Sequence, residues 1–175
     1  MGESILLPPV ARGTLMPEAE RLARLDEALP QIHATVAGET DAVALQSTLA
    51  CLLWETLPQT NWCGFYRRVG ERMLAVGPYQ GSLGCLRIDF ARGVCGACAR
   101  SGEVQLVPDV HAFPGHIACD DRTRSELVVP VIDAGGRLQA VLDLDSPHLA
   151  GFGAGEAQRL LALVREVFAA PGLVW

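Results

Sequence analysis

No apolar run in the chain is long enough to span a bilayer. The opening Met1-Gly2-Glu3 lacks the cationic start of a signal peptide, although Ser4–Val10 is apolar. Gly2 is present, but Leu6 stands where a myristoylation motif wants Ser or Thr. Positive charge is also scarce: 14 basic residues face 20 acidic ones, for a formal net charge of −6. The basic residues are dispersed apart from Arg67-Arg68 and Arg122–Arg124, which argues against nucleic acid as a partner. Internal repeats and low-complexity tracts are absent. These features predict a cytoplasmic protein without a membrane anchor.

The chain's 175 residues, half of them hydrophobic, suit one domain with a full core. Its six cysteines are therefore read as thiols rather than as a secreted disulfide framework, because disulfide scaffolds lack such a core. Residues 1–16, with Pro8-Pro9 and Gly13, form an N-terminal arm, and residues 17–175 form the domain. Pro17 begins a helical pattern of Leu22, Leu25, Ala28, Leu29 and Ile32, which Pro30 ends or kinks. Thr40-Asp41 caps a second helix carrying Val43, Leu45, Leu49, Leu52 and Leu53, and Pro58 stops it.

Asn61–Val69 and Met73–Val76 read as paired strands, followed by a loop over Gly77–Gly84 and a short strand over Leu86–Phe90. The pattern then gives a helix over Gly93–Ser101 and a strand over Val104–Val107. Pro108–Arg124 is a long polar loop with two histidines, and such loops often carry function. Glu126–Ile132 and Leu138–Leu144 make a hairpin around Asp133–Gly136. A final helix, Gly155–Ala170, presents Leu160, Leu161, Val164 and Val167 on one face. Hairpins with flanking helices define an α+β fold with a central antiparallel sheet.

Chemistry concentrates in the middle third, where Cys85, Cys95, Cys98 and Cys119 lie among glycines. A thiolate is a strong nucleophile, and a second thiol resolves an oxidised sulfur. Cys51 and Cys63 lie in apolar segments and read as small buried hydrophobes. Cys95 and Cys98 form a CxxC unit at a helix start, a position that lowers a thiol pKa. Cys85 and Cys119 sit in polar loops, and Cys119 has His116, Arg122 and Arg124 nearby to favour a thiolate. A structural zinc on these cysteines with His111 and His116 is disfavoured, since Cys119 has no paired partner at zinc-ligand spacing. No metal and no resident cofactor is expected.

Strand alternation places Asp143 and Asp145 on one sheet face inside an apolar strand. Two like charges there need a cation or hydrogen-bond donors. The alternative for Asp145 is a cap on the Ser146-Pro147 turn, which leaves Asp143 unexplained. Glu126 begins the partner strand and reaches the same end, so the three carboxylates can hold an ammonium group or deliver a proton. Trp62 and Tyr66 share a strand face, either as core or as the wall of a small pocket.

Six segments together resemble the free methionine-(R)-sulfoxide reductases, which are built on a GAF-type domain. They are Asn-Trp-Cys-Gly-Phe-Tyr at 61–66, Gly-Pro-Tyr-Gln-Gly at 77–81, Arg-Gly-Val-Cys-Gly at 92–96, Val-Pro-Asp-Val-His-Ala-Phe-Pro-Gly-His-Ile-Ala-Cys-Asp at 107–120, Arg-Ser-Glu-Leu-Val-Val-Pro at 124–130 and Leu-Asp-Leu-Asp-Ser-Pro at 142–147. The resemblance covers about residues 18–170. It implies that Cys119 attacks the sulfoxide, that Cys85 resolves through a disulfide, and that Cys95 is a third redox cysteine. It implies Glu126, Asp143 and Asp145 as substrate-binding carboxylates, with Trp62 and Tyr66 as an aromatic wall. Free methionine sulfoxide is then the substrate, thioredoxin driven by NADPH the external reductant, and a homodimer the assembly. Cys98 and the arm before Pro17 depart from the family pattern. The alternative is a GAF-type module that senses a small molecule or an oxidant without turnover.

Overall fold

The computed structural model describes residues 7–117 and 119–175. Two helices open the fold, α1 (Glu18–Val36) and α2 (Ala42–Thr56). Leu25, Ala28, Ile32 and Val36 form the buried stripe of α1 at helical spacing. Pro30 does not end this helix as its chemistry predicts. It lies on the exposed side, where the hydrogen bond it cannot donate leaves a carbonyl to water, and the core contacts of Ala28 and Ile32 carry the helix onward. Asp41 caps α2, its carboxylate accepting from the Val43 and Ala44 amides at 2.8 Å each.

Six strands follow: β1 (Trp62–Arg68), β2 (Met73–Gly81), β3 (Arg87–Asp89), β4 (Gln105–Val107), β5 (Ser125–Ile132) and β6 (Leu138–Ser146). They form one antiparallel sheet in the order β3-β2-β1-β6-β5-β4. Helix α3 (Gly93–Ser101) connects β3 to β4, and α4 (Ala154–Phe168) closes the chain. Gly102 ends α3 in the left-handed region at φ 69°.

β2 is longer than the pattern predicts. It continues through Pro78 to Gly81, with Gly64 opposite Tyr79 and Trp62 opposite Gly81. The β1–β2 register shifts between Gly64 and Tyr66, and Pro78 falls at this bulge, where a strand tolerates the missing donor. Gly and Pro therefore mark an irregular strand here rather than a loop.

The two faces of the sheet have different partners. Cys63, Phe65, Leu127, Val129, Leu142 and Leu144 pack with α1, α2 and α4, and Phe65 meets Phe168 edge-on at 5.8 Å. On α4 the buried face includes Leu160, Leu163, Val164 and Val167, with Leu161 half-buried at its margin. Trp62, Tyr66, Val128 and Val141 face the other way, toward α3 and the long loops. Cys63 is buried as expected, but Cys51 is exposed. Two residues from both Leu49 and Leu53, it points to the outer side of α2. Arg12 in the N-terminal segment lies 3.8 Å over the Trp54 ring and donates to the Trp54 and Leu57 carbonyls, holding that segment against the end of α2.

Candidate active site

The site is built on the sheet face turned away from α1, α2 and α4. Trp62, Asp145 and Glu126 stand in one row across β1, β6 and β5. Gly64, Asp143 and Val128 make the next row. Because alternate residues share a face, the three carboxyls gather beside the aromatic side chains. Trp62 stacks on Tyr66 at 5.3 Å and on Tyr79 at 5.1 Å. Gly64 allows this arrangement, since a Cβ there would lie on top of the Tyr79 Cβ.

α3 and two loops cover this floor. Cys95 faces the carboxyls, its thiol 3.8 Å from Glu126 Oε1. The Cys95 sulfur and one oxygen each of Glu126 and Asp143 all lie within 4.8 Å of one another. Leu83 and Gly84 come from the β2–β3 loop, and His116, Ile117, Cys119 and Asp120 from the β4–β5 loop. Gly84 lies against Trp62 and Tyr66, where a Cβ would sit 2.9 Å from the tyrosine hydroxyl. Cys85 and Cys119 are joined in a disulfide that ties the two loops together, with their Cα atoms 5.5 Å apart. The space beneath is about 30 Å³, room for a water or two.

Burial dominates the electrostatics. Desolvation, then the charges of Asp143 and Asp145, pushes Glu126 well above the ordinary carboxyl range. Burial raises Asp143 to about 7 against the pull of Cys95 and Glu126 hydrogen bonds. Asp145 is likewise raised, by burial and then by Asp143. The trio thus holds protons near neutrality that isolated carboxylates would have lost. Among the described residues, Asp143 Oδ1 and Trp62 Nε1 are buried with no hydrogen-bond partner.

The thiols differ from the sequence reading. The helix start does not activate the CxxC unit. Burial, then neighbouring Asp143 and Glu126, drives Cys95 and Cys98 far up, so both stay protonated. Cys98 is fully buried and turned to the Val128 carbonyl at 3.8 Å. The cationic surroundings expected for Cys119 also differ. Burial lowers the His116 pKa, which keeps the ring neutral, and Arg122 is bound to Asp120. Cys85 and Cys119 are in the disulfide, so neither joins His111 or His116 as a zinc ligand.

The structure brings Trp62, Tyr66, Glu126, Asp143 and Asp145 together with Cys95, Cys119 and, through the disulfide, Cys85. Sequence reasoning missed Tyr79, because the pattern places a loop where β2 continues opposite Gly64. It also missed the contact between Ser82 and Asp120, which lie 38 residues apart with no local pattern linking them.

This fold is that of a GAF domain, whose family model matches residues 25–170. The free methionine-R-sulfoxide reductase of Escherichia coli is 40% identical over 135 residues, which are 77% of this chain and 81% of that protein. The Saccharomyces cerevisiae enzyme of the same name is 41% identical over 121 residues, covering 66% and 67%. The crystal structure of the Neisseria meningitidis free methionine-R-sulfoxide reductase in complex with its substrate superposes with a TM-score of 0.80 at 40% identity, covering 91% of this chain and 93% of that one. The chain belongs to the free methionine-R-sulfoxide reductase family of GAF-domain proteins.

Proposed function

We propose that the protein reduces free methionine (R)-S-oxide to methionine by thiol chemistry. The observation that carries this reading is the Cys85–Cys119 disulfide lying over a pocket of buried, proton-holding carboxyls. The unpartnered Asp143 oxygen and Trp62 indole N–H give that pocket an acceptor and a donor for a small polar ligand. The Trp62–Tyr66 stack gives it an apolar wall for the S-methyl group.

In the reaction, the Cys119 thiolate attacks the sulfoxide sulfur. A protonated carboxyl of the Glu126–Asp143–Asp145 trio delivers its proton to the sulfoxide oxygen, which a carboxyl raised to about 7 can do at neutral pH. An ionised member of the trio pairs with the substrate ammonium. Methionine leaves, and Cys119 is left as a sulfenic acid. Cys85 condenses with it, releasing water and forming the observed disulfide. Cys95, held protonated among the carboxyls, stands where it can relay oxidation to a second disulfide.

The same reading includes thioredoxin, fed by NADPH, as the dithiol that reopens the disulfide, a cytoplasmic setting that keeps this cycle supplied, and a homodimer. Residues 17–175 act as the catalytic domain, with 1–16 as an arm. Leu83 and Leu86, 76% and 69% exposed, flank Cys85 and offer a protein reductant apolar surface beside the disulfide.

Single-turnover assays on reduced enzyme test the assignment. Cys119→Ser releases no methionine. Cys85→Ser releases one equivalent and then fails to recycle with thioredoxin. Normal single-turnover yield from Cys119→Ser would overturn the nucleophile, and normal cycling by Cys85→Ser would move resolution to Cys95.

A further inference from the structure

A second, non-covalent bridge joins the two loops that carry Cys85 and Cys119. The Ser82 hydroxyl donates to Asp120 Oδ2 at 2.6 Å. Asn61 Nδ2 reaches the same oxygen at 3.3 Å and Thr123 Oγ1 at 3.2 Å. Arg122 grips the carboxylate from outside, Nε to Oδ1 at 3.0 Å and Nη2 to Oδ2 at 2.7 Å, and its backbone N–H reaches Oδ1 at 2.9 Å. The Asp120 side chain is only 8% exposed, so these donors act on a largely dehydrated charge. Hydrogen bonds to an ionised carboxylate at such distances are of the strong kind.

The position of the bridge gives it a consequence. Asp120 follows Cys119 directly, and Ser82 lies three residues before Cys85. Gly81 ends β2 at φ 117°, and a Cβ there would lie 2.5 Å from the Asn61 carbonyl oxygen. The Cys85 arm therefore leaves the sheet against Asn61, which is itself bonded to Asp120. The segment 82–86 is tied to the strands at both ends, and the Ser82–Asp120 bond is its tie to the opposite loop besides the disulfide.

We propose that Asp120 is a positioning residue for disulfide formation: through Ser82 it docks the Cys85 arm against the Cys119 arm while the disulfide is open. This rests on the Cys119 and Cys85 roles given above. In that step the Cys85 sulfur attacks the Cys119 sulfenic sulfur. The S–S bond forms, the S–O bond breaks, and the hydroxyl leaves as water with the Cys85 proton. No further oxidant is needed, because the sulfenic acid already carries the oxidation taken from the sulfoxide. The rate then depends on how often Cys85 stands within attack range, which the latch raises.

Ser82→Ala and Asp120→Asn test this in single turnover from the reduced enzyme. In Ser82→Ala methionine release stays within about twofold of wild type, since Ser82 does not line the pocket; Asp120 does, so in Asp120→Asn disulfide closure is read relative to that variant's own methionine release. Disulfide formation, followed by intact mass after rapid acid quench, slows by about tenfold, the scale of one hydrogen bond to a charged group. Dimedone-trapped Cys119 sulfenic acid rises in step. Ser82→Thr keeps the hydroxyl and restores the rate. Disulfide closure at the wild-type rate in both Ser82→Ala and Asp120→Asn would overturn the proposal. Absence of methionine release by the wild type would instead overturn the reductase reading beneath it.

Discussion

At the scale of single residues, one missing Cβ organises the aromatic wall. Gly64 lets β2 approach closely enough for Tyr79 to stack on Trp62. Adding one methyl at Gly64 leaves no space, and the obstacle includes the Tyr79 and Pro78 backbone rather than a flexible side-chain end. Gly64→Ala is expected to cost about 2 kcal/mol of stability, as overpacking does, and to raise KM for the sulfoxide as Trp62 loses its support. Urea denaturation and steady-state kinetics check the two effects, and unchanged values in both would remove Gly64 from the argument. This residue also shows the limit of sequence reading. Trp62, Tyr66 and the carboxylates declare themselves by chemistry and alternation. The role of Gly64 depends on which strand lies beside it, and the sequence pattern places a loop there.

At the scale of elements, two neighbouring strands, β5 and β6, bring Glu126, Asp143 and Asp145 together, and that assembly is itself a load on the fold. Hairpin and alternation signals make the gathering of these carboxyls legible in the sequence. The order β1-β6-β5 is not legible there, because it pairs a strand near residue 62 with one near 145 and no local signal spans that distance. The consequence is a pH dependence of stability. Asp143 binds its proton more tightly folded, with a pKa of about 7 against an unfolded value near 3.8. A raised carboxyl favours the folded state most at low pH, and this advantage is lost progressively as pH rises from about 4 through about 7. Asp143→Asn removes the penalty of ionising that buried group. The variant should therefore gain stability relative to wild type between pH 5 and pH 8, by a few kcal/mol in order of magnitude. Denaturation midpoints for both proteins at the two pH values test it, and a constant difference would show that Asp143 does not carry the load. In the proposed mechanism the same protons serve catalysis, so turnover of the wild type declines along the alkaline side.

At the scale of the whole molecule, the fold puts a narrow pocket between the sheet and two joined loops, and this sets what can enter. The free space of about 30 Å³ is smaller than an amino acid, so a ligand of that size displaces some of the side chains that line the pocket. What then settles against the sheet meets three carboxyls. A free amino acid brings an ammonium group to pair with an ionised member. A residue inside a peptide brings none, and its flanking chain has to thread between loops that close over the site. An ionised carboxylate left buried without its cation costs several kcal/mol, which corresponds to roughly a thousandfold in affinity. The protein is therefore expected to reduce free methionine (R)-S-oxide and to act on the N-acetyl amide roughly a thousandfold less efficiently. Chiral chromatography of each epimer, free and as the N-acetyl amide, with a thioredoxin recycling system measures this. Comparable rates on the amide would show that the carboxyl trio does not read the ammonium group. A preference for the S epimer would show that the aromatic wall receives the opposite hand of the sulfoxide.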